Sequence, residues 1–282
     1  MADAPSSAPQ SVAEKPKAPF VHLHAHSMYS LYDAIGDVSE LVARAKELGY
    51  DAIALTDHAS LYGAIEFYEA AKKAGIKPII GVEAYIAPNS HTDRRAGIDN
   101  HVSHLTLLAE TNEGYHNLLQ LISCSYLDGF YYKPRMDKEL LRTYHGGIIA
   151  LSGCAKGEIA KACQAHDLEK AEQVIRQYQE IFGPEHFFLE LVHRPESPTQ
   201  LDINEQLITL GGRTGAPIVV TKNTHYLHED DREAQDALVC IHDGKMLADT
   251  NRQSTAFADA SLCGPEVMVE AYKDHPEAIA NT

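Results

Sequence analysis

From Phe20 onward, short apolar runs rich in β-branched residues alternate with amphipathic stretches, and this rhythm restricts the chain more than any other feature. A strand can rejoin a parallel neighbour only through a long crossover, so repeated strand-then-helix units imply an α/β fold with a largely parallel sheet. Seven runs qualify as strands: "FVHLHAH", "AIALTDH", "KPIIGVEAYIA", "SHLTLLAE", "GGIIALSG", "HFFLELVH" and "PIVVTKN". Helical stretches separate them. Asp37 with Glu40 three residues later makes a capping box ahead of "VSELVARAKELG", and Gly49 and Gly75 stand where helices need a left-handed terminal residue. Seven such strands predict a closed barrel. An open doubly wound sheet competes, but no glycine-rich phosphate loop follows any run.

The 282 residues suffice for one main domain. Residues 1–19 are rich in Ala, Ser and Pro without the apolar stretch of a secretory signal, and read as a mobile tail. The barrel is expected over 20–245. Over 246–282 the rhythm changes to an extension whose last helix, opened by Pro276, stops short of the ~12 residues an isolated helix needs. The chain therefore reads as the front end of something longer. A net charge of -16 argues against gripping nucleic acid or an anionic membrane with the general surface, although bound cations would reverse that sign locally. Five scattered cysteines without a C-x-x-C pair argue against a disulfide framework and for a reducing cytoplasm. No run approaches the ~18 apolar residues of a membrane span.

The first strand carries His22, His24 and His26 at alternate positions, hence on one face. Two imidazoles at the carboxyl end of a barrel strand can converge on one metal ion, whereas His22, one layer deeper, reads as a supporting or core residue. The remaining strand ends supply more donors. His58 ends "ALTDH", Glu83 lies late in the third run, Cys154 follows "IIALSG" and His225 follows "PIVVTKN". His104 opens its strand and would reach the site from a loop end, and Asp33 lies in the loop after the first strand. Alone, Cys154 is an inert thiol and Asp33 a cap; joined to the others they complete a multinuclear metal signature. Asp57 is available to orient an imidazole or to serve structure alone. Loop and helix histidines such as His91 and His242 take a surface reading.

The segments "HLHAHSMYSLYDA", "ALTDHASLYGAIEFYEAAKKAGIKPIIGVEAYI", "HLTLLAETNEGYHNLLQLIS" and "ALSGCAKGEIA" resemble the polymerase-and-histidinol-phosphatase (PHP) domain, in particular the copy at the amino terminus of bacterial replicative DNA polymerases. The resemblance runs over roughly 20–282. It implies a distorted seven-stranded TIM-like barrel, (β/α)7, holding up to three divalent ions, with Zn2+ or Mn2+ expected. It places metal ligands at His24, His26, Asp33, His58, Glu83, His104, Cys154 and His225. The remaining ligand should be an aspartate two positions before His225, where this chain has Asn223. Three divalent ions against Asp33, Glu83 and a Cys154 thiolate leave +3, and an amide adds no charge to relieve it.

The resemblance implies phosphodiester hydrolysis at a DNA 3′ end, one nucleotide at a time, with one ion making hydroxide from water and others steadying the phosphate during in-line displacement. No catalytic residue beyond the ligands is implied. Arg94 and Arg95 in a loop, and His193 and Arg194 at a strand end, are candidates for substrate phosphate. Expected partners are the DNA 3′ end, a polymerase core in the same parent chain and a separate proofreading subunit. Three other readings compete: a silent PHP domain that is structural or docks that subunit, a stand-alone phosphatase for small esters, and an amidohydrolase-type barrel.

Overall fold

The computed structural model describes residues 19–252 and 256–282, so the expected tail lies outside the described residues apart from Pro19. Helix α1 (Val38–Glu47) begins as its capping box dictates: the Asp37 side chain accepts from Ser39 N, and the Glu40 carboxylate accepts from Asp37 N. It buries Val38, Leu41, Val42 and Ala45 on one stripe. Strand β1 (Ala52–Leu55) follows, then α2 (Ala64–Ala74), which ends on left-handed Gly75 at φ 76°. Next come β2 (Lys77–Ile86), β3 (Ser103–Ala109), α3 (Asn112–Leu127), β4 (Arg135–Met136) and α4 (Lys138–Thr143). The second half runs β5 (Ile148–Leu151), α5 (Glu158–Gln164), α6 (Leu168–Phe182), β6 (Phe187–Val192), α7 (Pro198–Thr214), β7 (Ile218–Thr221) and α8 (Arg232–Asp243). Helices α9 (Pro265–Ala271) and α10 (Pro276–Ala280) close the chain.

The strands form one curled mixed sheet in the order β1-β2-β3-β5-β6-β7, with β4 paired to β2. This is the α/β, distorted TIM-like barrel anticipated, with two departures. "FVHLHAH" is not a regular strand. It is an extended segment whose His22 and Ala25 carbonyls accept from Ala54 N and Thr56 N on the β1 side. On the other side His26 N donates to Thr224 O, and Thr224 N donates to His24 O. The segment thereby bridges the two outer strands of the sheet through one isolated bridge, Ala25 to Thr224. The seventh strand is instead the two-residue β4. The second departure is β3, which pairs antiparallel with both β2 and β5.

One small apolar cluster, Leu23, Ala54, Leu108, Leu151 and Val219, with Ile79 and Phe188 against it, draws on the bridging segment and most strands. It forms the barrel's inner floor. The larger cluster lies between sheet and helices and includes Leu262, Met268, Ala278 and Ile279 from the last 27 residues. Asn281 Nδ2 donates to Ile218 O, and Val21 N donates to Thr282 Oγ1. Residues 256–282 thus pack onto the barrel. His22 belongs to this outer packing: its ring lies edge-on to Phe20 and Tyr50, and Nε2 is 3.1 Å from Cys263 O. Burial lowers it to about 4, so it stays neutral in the core.

Candidate metal centre

The reversal of β3 explains how a residue that opens its strand reaches the site. Running against β2, it sets His104 opposite Tyr85 and Thr106 opposite Glu83, at the end where the parallel strands deliver their carboxyl termini. Glu83 sits at the middle, buried. Its Oε1 lies 2.9 Å from His104 Nδ1, 3.3 Å from Cys154 Sγ and 3.5 Å from His24 Nε2. Its Oε2 lies 3.5 Å from His26 Nε2 and 2.9 Å from His58 Nδ1. Asp33 forms a second focus, with Oδ2 at 2.7 Å from His58 Nε2 and 3.3 Å from His225 Nε2. Three triads have ligand atoms close enough for one ion: His26, His58 and His225; His24, His26 and Glu83; His58, Glu83 and His104.

The donor chemistry fits divalent ions. Tetrahedral ligands at ~2.1 Å from zinc stand about 3.4 Å apart, the spacing found between Glu83 and the His24 and His26 rings. Nε2 of both His24 and His26 is buried without a hydrogen-bond partner. Their Nδ1 atoms are already engaged, so Nε2 is the ring atom left to bind an ion once it gives up any proton. His24 Nδ1 is 2.6 Å from Glu190 Oε1; His26 Nδ1 donates to Ser30 Oγ at 2.9 Å, and Ser30 Oγ donates to Asp57 at 2.6 Å. His225 Nδ1 donates to Asn223 O at 2.9 Å, again freeing Nε2.

The charges agree. Burial alone would raise Glu83, but His104, His58 and His24 outweigh it and hold the carboxyl well below the usual range. Burial lowers His24 and His58, yet Glu190 and Glu83 push the first up to about 10, and Glu83 and Asp33 push the second to about 9. His26, crowded by burial and by His225 and His58, is driven down. Buried carboxylates that hold protons on imidazoles are anions short of a cation, a need that divalent ions would meet. Burial beside Glu83 raises the Cys154 thiol, a pressure that a coordinated ion reverses.

All eight ligands expected at His24, His26, Asp33, His58, Glu83, His104, Cys154 and His225 converge here. Asn223 lines the same cleft of about 720 Å³, and its Oδ1 is buried without a partner. Its backbone is left-handed at φ 51°, a conformation that Asn and Asp tolerate better than most residues. Of the phosphate candidates, Arg194 lines the cleft. Arg95 pairs with Asp99 and Asp93. Arg94 donates to Asp128 O, and His193 turns its ring edge to Tyr272. Lys156 is a cleft cation that the sequence reading did not single out.

Glu190 is the other omission. Buried on β6, it accepts from Thr221 Oγ1 at 2.6 Å and contacts His24 and Thr106. A carboxylate inside the apolar run "FFLELV" was the signal available.

A family model for the PHP domain matches residues 22–194. The DNA polymerase III alpha subunit of Borreliella burgdorferi is 42% identical over 264 residues, covering 93% of this chain and 23% of that protein. The same subunit of Helicobacter pylori is 40% identical, covering 93% of this chain and 22% of that one. For Treponema pallidum the figures are again 40%, 93% and 22%. The chain thus spans less than a quarter of these relatives' length. Together with the convergent histidines and carboxylates, these matches show that the chain belongs to the PHP domain family.

Proposed function

We propose that this chain is the metal-dependent phosphoesterase module of a bacterial replicative DNA polymerase, removing nucleotides from a DNA 3′ end. The observation that carries the reading is the set of three ligand triads interlocked through Glu83, His26 and His58, an arrangement suited to neighbouring ions on one phosphodiester. Divalent ions bound there, Zn2+ or Mn2+, supply Lewis acidity to the phosphate and lower the pKa of water. The protein's part is orientation: Glu190 and the Ser30–Asp57 pair fix His24 and His26, and Arg194 and Lys156 face the cleft with charge for phosphate oxygens. Such a module would work beside a polymerase core in the cytoplasm; among the described residues no helix is long and apolar enough to cross a membrane.

Asn223 favours a second reading, a catalytically silent domain that is structural or docks a separate proofreading subunit. A single assay separates the two. Full-length protein is incubated with a 3′-labelled oligonucleotide in Mn2+ or Zn2+, and again in EDTA, alongside Glu83→Gln. Metal-dependent release of mononucleotides, lost in Glu83→Gln, is expected. Absence of release from both the parent and Asn223→Asp in either ion would refute hydrolysis and leave the docking role.

A further inference from the structure

Outside the cleft, the turn between α3 and β4 carries "GFYYKPR", of which Phe130 and Tyr132 face solvent. Phe130 is 50% exposed, Tyr132 73%, and Tyr62, from the turn before α2, 61%. Tyr126 joins them, close enough to Tyr62 for the two phenols to interact and with its ring 6.3 Å from that of Phe130. Tyr132 holds a left-handed backbone, φ 60°, a conformation costly for a bulky residue. The turn is held from beneath. Fully buried Arg135 donates to Gly129 O at 3.0 Å and lies 5.3 Å from the Tyr131 ring; a Cβ on Gly129 would meet Arg135 O at 2.0 Å. Rigid, solvent-facing rings on a pinned turn lose little freedom when they bind.

The inner edge of this shelf is cationic and adjoins the ligands. Lys133 Nζ lies 4.3 Å above the Tyr85 ring, and that ring stacks on His58 at 5.8 Å and 14°. Lys156 and Arg194 line the cleft itself. In a chain of net charge -16, three cations gathered at one opening mark where an anion enters.

We propose that Tyr62, Tyr126, Phe130 and Tyr132 form a stacking platform for the unpaired nucleotides of single-stranded DNA, with Lys133 leading its phosphates toward the cleft. The proposal rests on the phosphodiesterase reading above and sharpens its substrate to a frayed or single-stranded end, in place of a small phosphate ester. Base faces stack on aromatic rings irrespective of sequence, so recognition is tolerant of base identity. A protein partner seated on the same rings would have no use for the row of cations behind them.

The test measures binding without hydrolysis. Anisotropy of a fluorescein-labelled dT10 strand is titrated with full-length protein in EDTA at several salt concentrations. The double variant Phe130→Ala/Tyr132→Ala should bind at least tenfold more weakly while melting at the parent's temperature. If that variant melts lower, Tyr62→Ala on a separate element should still weaken binding several-fold. Lys133→Ala should reduce the slope of log affinity against log salt by about 0.7, and Lys133→Arg should restore it. Unchanged dT10 affinity in the aromatic variants overturns the platform, whichever other molecule covers it. Because no metal or turnover enters the measurement, an inactive centre with an intact platform would sink only the hydrolytic reading.

Discussion

Replacing Asn223 by Asp should move the protein in opposite directions with and without metal. Oδ1 of Asn223 is buried, unpartnered and in the same cleft as Asp33, Glu83 and His225. In EDTA, Asn223→Asp adds a carboxylate beside two already there, and an unpaired buried charge costs roughly 3 to 5 kcal/mol. With a divalent ion the sign reverses. One negative charge about 4 Å from +2, at an effective dielectric near 20, gains about 8 kcal/mol before desolvation removes most of it. A net gain of about 1.4 to 2.8 kcal/mol is a tenfold to hundredfold rise in metal affinity. The backbone should not object, since left-handed Asp is nearly as well tolerated as Asn. Melting temperature reports both halves, at roughly 2 to 4 °C per kcal/mol for a domain of this size. The variant should melt below the parent in EDTA and show the larger upward shift when Zn2+ or Mn2+ is added, with chelator competition giving the affinity. An equal displacement of both melting curves, or none in either condition, would refute the placement of position 223 among the ligands.

Glu190→Gln should weaken metal binding about tenfold to hundredfold in chelator competition, because His24 loses the carboxylate that orients it; parent-like affinity would remove Glu190 from the site. Asp137 caps α4, accepting from Leu140 N at 2.9 Å and from His91 N and Nδ1 at 2.8 and 2.6 Å. Burial pulls its carboxyl up, but these donors outweigh it and leave the pKa below 3.8, so the ionised form stabilises the fold above the unfolded value and that stability is lost as pH falls through the folded one. In urea titrations Asp137→Ala should cost about 1 to 2 kcal/mol at pH 7, with the gap from the parent narrowing below about pH 4; a gap independent of pH would contradict this.

The helices were legible because their signals are local. The Asp37 box and Gly75 determine where α1 and α2 begin or end whatever the tertiary context. The candidate ligands were legible because titratable side chains at strand ends break an otherwise apolar rhythm. Strand direction was not legible: "SHLTLLAE" has the same pattern whether it runs with β2 or against it, and only pairing with β2 and β5 decides. The histidine row was assigned one face by strict alternation, yet its segment bridges two strands as a single isolated link, and His22 turns to Phe20 and Tyr50. Glu190 escaped notice because a lone acid within a hydrophobic strand has no local signature of the histidine it meets, 166 positions away. His91, assigned to the surface, is tied to Asp137 for a similarly nonlocal reason.

The reversed β3 also changes what the connection before it can do. Because β2 and β3 pair as antiparallel neighbours, residues 87–102 leave and return at the doorway, whereas a crossover would carry them to the opposite pole. Arg135 staples this excursion by donating to the carbonyls of His91, Asp93 and Asp99 at 2.6 to 2.7 Å. Insertions or deletions there would redraw the threshold that incoming molecules cross while leaving the foundations untouched, so one short stretch can tune admission independently of the chemistry inside.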